Sequence, residues 1–336
     1  MSSLKKNLIT LVLIALVYAW FFAFKTISNP TSLNVLGAQA NVSVFVQPDA
    51  GNKPIIDVIQ KAQREILTVV YLLSDRQIIA ALINAKQRGV SVKVMLEEHP
   101  FGGNGLNDKA KIELEESGIS FKWASPQFTL THEKAIIVDG KAAFILNQNL
   151  TTSSFIKNRE FNVFDTNPED VSQIRNIFIS DWERKPFTSQ SSHIINSPDN
   201  SRVVLKNLIQ EAQNSINIEI EVIGDNEMIT LLSERAKNTT VRILAPPISR
   251  LSSNKTALKK LSKAGAYVKT LSSPYLHAKM ILVDRKKAYI GSINFSTQSL
   301  DKNRELGIIL SKSEGLTLLS TVFAKDWDKA VSFSGL

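Results

Sequence analysis

The chain is written twice, and this duplication constrains its fold more than any other feature. Residues 48–82, PDAGNKPIIDVIQKAQREILTVVYLLSDRQIIAAL, run alongside residues 198–232, PDNSRVVLKNLIQEAQNSINIEIEVIGDNEMITLL, at an offset of 150. Pro48 and Pro198, Ile59-Gln60 and Ile209-Gln210, Ala62-Gln63 and Ala212-Gln213, and Asp75 and Asp225 coincide. Farther on the offset settles at 145. There His132 meets His277, Lys134 meets Lys279, Asp139 meets Asp284, Asn149 meets Asn294, Glu160 meets Glu305, and Asp181-Trp182 meets Asp326-Trp327. An ordered set of matches with only loop-sized drift is the mark of an internal repeat. Two homologous halves are expected, residues 41–186 and 187–336, preceded by an N-terminal segment of residues 1–40. The seam falls in the Ser-rich, Pro-containing stretch 185–200.

Each half alternates strands and helices. In the first, a β-like run at 42–46 precedes a helix at 54–63 with Ile55, Ile56, Ile59 and Ala62 on one face. A strand at 66–72 follows, then a helix from about 75 to 86 capped by Ser74 or Asp75 and ended by Arg88-Gly89, then a strand at 90–96. The second half repeats this at 203–213, 216–222, 225–237 and 241–244. Alternation of this kind predicts an α/β half with a central sheet. Hydrophobic residues make up 43% of the chain and charged residues 21%, a composition that buries a core and excludes wholesale disorder. Trp182 and Trp327 read as core anchors closing each half.

Cysteine is absent, which removes thiol nucleophiles, zinc–thiolate sites, iron–sulfur clusters and disulfides. The four histidines are His99, His132, His193 and His277. His99 falls in a Gly-rich loop and His193 in the seam, so the duplicated pair, His132 and His277, is the candidate for chemistry. Each stands in an apolar strand, His-x-Lys-x4-Asp. Residues two apart on a strand share a face, so His132 projects with Lys134, and His277 with Lys279. A nucleophile or proton carrier beside a fixed positive charge suits an anionic phosphodiester. Asp139-Gly140 reads as the turn of a hairpin. The returning strand carries Asn147 and Asn149 on one face in the first half, and Ser292 and Asn294 in the second, all able to donate hydrogen bonds to phosphate oxygens. Glu160 lies 28 residues beyond His132, and Glu305 lies 28 beyond His277. A carboxylate accepting from one ring nitrogen fixes the tautomer of the other.

The motif H-x-K-x4-D, present twice and followed in the second half by G-S-x-N, resembles the phospholipase D superfamily. So does the upstream stretch SDRQIIAALINAKQRGVSVKVML with the Gly-rich loop behind it. The resemblance covers most of residues 42–330. It implies two α-β-α sandwich halves related by a pseudo-twofold axis, with both motifs facing one site. It also implies that one histidine attacks phosphorus to form a phosphohistidine while the other protonates the leaving group and then activates water. His132 is the expected nucleophile and His277 the acid/base. Lys134, Lys279, Asn147, Asn149, Ser292 and Asn294 would hold phosphate oxygens, Glu160 and Glu305 would support the histidines, and Asp139 and Asp284 would serve structure. No metal or other cofactor is implied. One departure stands out: Leu146-Asn147 occupies the place where the family reads Gly-Ser.

The N-terminus bears on the substrate. Residues 7–24 form an uncharged, apolar run of 18 after Lys5 and Lys6 and before Lys25. A helix of that length covers roughly 27 Å at about 1.5 Å per residue, enough to span a bilayer core. More lysine before the run than after it places the N-terminus in the cytoplasm and the rest outside, as a single-pass membrane protein. The competing expectation is a signal peptide cut near Ala38-Gln39-Ala40, which would leave a secreted or periplasmic protein. A tethered site favours phospholipid cleaved at the headgroup, with water or an alcohol as acceptor, by a monomer holding both motifs. The rival is a tethered nuclease. The whole chain carries +9, and the part beyond the first 30 residues, which hold three lysines and no acid, carries +6; that suits a nucleic-acid backbone, but no aromatic residues interleave with basic ones for bases to stack on. A third reading, a catalytically silent binding module, rests on Leu146-Asn147 alone.

Overall fold

The computed structural model describes residues 41–187, 193–311 and 315–334. Along the first sequence repeat the elements are β1 (Val42–Gln47), α1 (Lys53–Lys61), β2 (Glu65–Val70), α2 (Arg76–Gln87), β3 (Ser91–Leu96), α3 (Asp108–Glu116), β4 (Ser120–Trp123), β5 (Ala135–Val138), β6 (Ala142–Leu146), α4 (Thr152–Ile156), β7 (Asn158–Asp165) and α5 (Pro168–Glu183). Along the second they are β8 (Ile194–Ser197), α6 (Ser201–Gln210), β9 (Ser215–Ile220), α7 (Asn226–Arg235), β10 (Thr240–Ala245), α8 (Lys255–Lys263), β11 (Tyr267–Thr270), β12 (Tyr275–Leu276), β13 (Lys279–Val283), β14 (Lys287–Gly291), α9 (Thr297–Asp301), β15 (Glu305–Ser311), α10 (Gly315–Lys329) and β16 (Val331–Ser332).

These strands build two mixed sheets of the same order. One runs β1-β7-β6-β5-β2-β3-β4, and the other β8-β15-β14-β13-β9-β10-β11 with β16 at the far edge. In each, three parallel strands adjoin an antiparallel set that carries the hairpin β5–β6 or β13–β14. The caps repeat as well. Asp75 accepts from the N–H groups of Gln77 and Ile78, and Asp225 accepts from that of Met228, each satisfying orphan donors of a first helical turn.

Strand alternation sorts the side chains into three cores. On the outer face of the first sheet, Ile66, Val70, Ile136 and Val138 pack against Ile55 and Ile59 of α1 and Ile78 and Leu82 of α2. Ile216, Ile218 and Ile281 play the same part under α6, α7 and α8 in the second sheet. The inner faces share one core. Leu67, Val69, Ala135 and Ile137 of the first sheet join Met280, Leu282, Ala288 and Ile290 of the second around Ile174 and Phe178 of α5 and Leu319 and Phe323 of α10. That common layer holds the two sheets in a fixed relation, and the site lies at its edge.

One expectation needs adjustment. Trp182 and Trp327 are half-buried rather than central. Each stacks on a phenylalanine one helical turn earlier, Phe178 at 5.8 Å and Phe323 at 5.7 Å, and has Lys122 or Lys269 4.9 Å above its ring. The membrane anchor or signal expected at 7–24, with the cleavage site at 38–40, lies outside the described residues. Among the described residues no helix is long and apolar enough to cross a membrane.

Candidate active site

The site begins with two hairpin turns. Asp139 and Gly140 both take positive φ, as do Asp284 and Arg285, the geometry that matches a tight turn to strand twist. The Asp139 carboxylate accepts the backbone N–H groups of Gln63, Arg64 and Glu65 at 2.7–3.0 Å. Asp284 accepts those of Gln213, Asn214 and Ser215 at 2.7–2.8 Å. Partial burial opposes the charge, yet the three donors hold each carboxyl below its ordinary range. Each motif aspartate therefore ties its hairpin to the loop that enters the neighbouring strand, and the register of the His-x-Lys segment follows.

The histidines stand just before β5 and β13, and each is caught by the opposite half. His132 Nδ1 lies 2.8 Å from Glu305 Oε2, and His277 Nδ1 lies 2.8 Å from Glu160 Oε2. Backbone pairing delivers this exchange. Thr131 bridges Arg304, and the His132 N–H donates to the Arg304 carbonyl at 2.8 Å. Reciprocally β12 runs parallel to the start of β7, and the His277 N–H donates to the Arg159 carbonyl at 3.3 Å. The spacing of 28 residues within each half gave no hint of the crossing. The second oxygen of each glutamate is also held, by Asn158 for Glu160 at 3.0 Å and by Asn303 for Glu305 at 3.2 Å. With Nδ1–H donated to a carboxylate, Nε2 of each imidazole is the nitrogen left for chemistry.

Lys134 and Lys279 are fully buried. Each ammonium donates to the carbonyl of its own histidine, Lys134 to His132 and Lys279 to His277. Burial pulls Lys134 down to about 7, against the pull of Glu305 and with the help of Lys279. Burial likewise lowers His132 to about 4, with Glu305 opposing and Lys134 and Lys279 assisting. The charges of both motifs thus act on one another in one shared site.

Behind the glutamates lies a second crossed pair of contacts. Arg159 binds Asp326 through two nitrogens at 2.5 and 3.0 Å, and Arg304 binds Asp181 at 2.8 Å. All four side chains are buried. The signal was present in the sequence: Lys157-Asn158-Arg159-Glu160 recurs as Lys302-Asn303-Arg304-Glu305, and only the glutamate was singled out. Also missed were Tyr71 and Glu221, which occupy equivalent places 150 residues apart. Tyr71 sets its ring edgewise on His132, 4.8 Å between centroids. Glu221 puts Oε2 2.8 Å from Lys279 Nζ and 3.4 Å from His277 Nε2.

The expected phosphate ligands divide. Asn294 accepts from the Val222 N–H at 3.2 Å, so its NH2 is the end offered to a ligand, and the Asn149 Oδ1 is buried without a partner. Asn147 and Ser292 are differently employed. The Asn147 NH2 donates across the seam to the Gly291 carbonyl at 2.8 Å, and the Ser292 hydroxyl exchanges hydrogen bonds with Leu306. Both are fully buried and brace the two returning strands.

Leu146 belongs to an exchange of packing. A Cβ at its counterpart Gly291 would meet Gly307 Cα and the Tyr289 hydroxyl at 2.5 Å. In the first half the equivalent residues are Phe144, Leu146 and Asn162. Phe144 has no hydroxyl and shares the outer core with the buried Leu146, and Asn162 Oδ1 accepts the Asn147 N–H at 3.1 Å.

Comparison with known proteins identifies the family. The family model described as cardiolipin synthase, PLD-like domain, matches residues 55–182 and again 205–327. Cardiolipin synthase 1 of Bacillus anthracis is 24% identical over 325 residues, covering 81% of this chain and 64% of that protein. A phospholipase D of Rickettsia prowazekii is 30% identical over 186 residues, 51% of this chain and 86% of that one. The chain spans 64–70% of the length of that cardiolipin synthase and others that it matches. Phosphatidylserine synthase of Haemophilus influenzae superposes with a TM-score of 0.68 at 14% identity, with 89% of each chain covered, which is likeness of fold.

Proposed function

The chain belongs to the phospholipase D superfamily, and from that premise we propose that it is a phosphodiesterase-type enzyme acting on the headgroup phosphodiester of phospholipids. The observation that carries this reading is the crossed pair of histidine–glutamate contacts, which turns two Nε2 atoms toward one site walled by two buried lysines. His132 attacks phosphorus through Nε2 and the P–N bond forms. The bond to the headgroup alcohol breaks, and the leaving oxygen takes the Nε2 proton of His277. In the second step an acceptor hydroxyl gives its proton back to His277 and displaces His132. Lys134 and Lys279 offset the charge on the non-bridging oxygens, with Asn149 and Asn294 as hydrogen-bonding partners. Asp139 and Asp284 hold the two hairpins in register.

Water as acceptor releases phosphatidic acid. A lipid hydroxyl as acceptor makes the same site a headgroup transferase. The curated relatives named cardiolipin synthase support this second outcome, as does a substrate presented at a surface. The domain division at about residue 186 and a membrane-tethered location outside the cytoplasm belong to the same proposal.

The test uses the purified full-length chain in EDTA with phosphatidylglycerol vesicles and, separately, single- and double-stranded DNA, beside His132→Ala. Glycerol release that falls by about 10³-fold or more in the variant is expected. Formation of a diphosphatidyl product would identify the transferase outcome. DNA cleavage abolished by the same substitution, with no lipid turnover, would replace the lipid reading by a nuclease.

A further inference from the structure

On the reading that this site cleaves phosphodiesters, we propose that Glu221 is a positioning residue that gives the two histidines different tasks: it keeps the proton for the departing alcohol on Nε2 of His277 and leaves His132 to attack phosphorus.

The fold repeats but the surroundings of the two imidazoles do not. At position 71 the first half places a tyrosine whose hydroxyl accepts the Phe101 N–H and whose ring edge packs on His132. At the equivalent position the second half places a carboxylate. Both oxygens of Glu221 are engaged, Oε1 by the Tyr275 hydroxyl at 3.2 Å and Oε2 by Lys279 at 2.8 Å, with His277 Nε2 at 3.4 Å. His277 thus meets a carboxylate at each nitrogen, Glu160 at Nδ1 and Glu221 at Nε2, and Lys279 Nζ, itself bound to Glu221, also lies 3.3 Å from Nε2. His132 meets one, Glu305 at Nδ1, and lies within the field of two lysines.

The chemistry of the two steps is incompatible with exchanging these roles. Phosphorus arriving at Nε2 of His277 would bring its negatively charged oxygens against the Glu221 carboxylate, which stays an anion because its contacts with His277 and Lys279 outweigh burial and lower it to about 2. A proton on the same nitrogen is welcomed by that carboxylate, and the leaving oxygen is neutral once it has accepted it. His132, held neutral by burial, presents a lone pair at Nε2 with a tyrosine ring at its flank. Breaking the P–O bond therefore delivers the electron pair to an oxygen within reach of the His277 proton, while the new P–N bond forms at His132. Water or an alcohol later returns a proton to His277 as its oxygen displaces the histidine.

The test separates proton donation from folding through the leaving group. Phosphatidylglycerol loses an alcohol that needs a proton. Bis(4-nitrophenyl) phosphate loses a phenolate stable without one. In first-turnover measurements on the full-length chain, Glu221→Gln should lower glycerol release by about 30-fold or more, within the range of general acid catalysis, while nitrophenolate release stays within about threefold of wild type on the same reasoning. His132→Ala should abolish both, and a base-quenched digest of wild type should carry the phosphoryl group on the peptide containing His132. Equal loss on both substrates, no loss on either, or label on the His277 peptide would overturn the proposal. Failure of the wild-type chain to turn over either substrate would instead sink the phosphodiesterase reading, and the positioning role with it.

Discussion

Glu133, between His132 and Lys134 in sequence, is buried with Oε1 unpartnered. Burial first, and then the charges of Asp181 and Glu305 against that of Arg304, push it up to about 8. Between its ordinary value near 4.5 and about 8 the folded chain keeps a proton that the unfolded chain has released, so this contribution to stability is full below the lower value and is lost as pH rises toward the upper one. Thermal melts at pH 5 and pH 8 should therefore show wild type losing more stability than Glu133→Gln over that interval. His132 runs the other way. Its folded value near 4 makes the neutral imidazole, the attacking form in the proposed mechanism, persist well into acid, and the acid limb of kcat/KM should lie near pH 4 rather than near the ordinary histidine value. The crossed carboxylates give a sharper expectation. Glu305→Gln should impair attack by His132, and Glu160→Gln should impair proton transfer at His277, each by on the order of 10²-fold. Rapid-quench measurement of the covalent intermediate separates them, because only the first should slow its formation with a nitrophenolate leaving group.

At the scale of elements, the hairpin clamp is the part most open to a stability test. Asp139→Ala frees three backbone N–H groups at the entry to β2, and the loss of such a cap costs about 1–2 kcal/mol in denaturant melts, with activity falling further as the His-x-Lys register loosens. Much of this level was legible in the sequence. The order of strands and helices followed from apolar periodicity and the duplicated caps, and the hairpins from Asp139-Gly140 and its copy. Element ends moved by a residue or two, as with α1, where Ala62 leaves the helix after Lys61. What a linear pattern could not reveal was which half supplies each histidine's carboxylate. Spacing is a property within one repeat, whereas the contact of Glu305 with His132 arises only when the inner faces of both sheets meet. The hydrogen bond of Asn147 was hidden for the same reason, since its Gly291 partner lies in the other half, whereas Ser292 pairs with Leu306 on the adjacent strand of its own sheet. Glu221 went unnoticed because the alignment pairs it with Tyr71, and unlike residues attract no attention in a search for matches.

For the whole molecule, the shared inner core and the crossed ion pairs argue for one cooperative unit. Calorimetry of the full chain should give a single transition with calorimetric and van't Hoff enthalpies in agreement, and two separated transitions would contradict a common core. Arg304→Ala leaves Asp181 buried without its guanidinium, a loss of about 3–5 kcal/mol that should lower the one transition rather than split it. The crossing also sets a timetable. His132 and Glu305 are 173 residues apart, so at about 5–20 residues per second a ribosome completes the second roughly 10–35 s after the first. During that interval the emerging chain holds a histidine without the carboxylate that orients it. The chemistry that needs the crossed histidine–glutamate pair is thereby withheld until the second sheet has closed on the first.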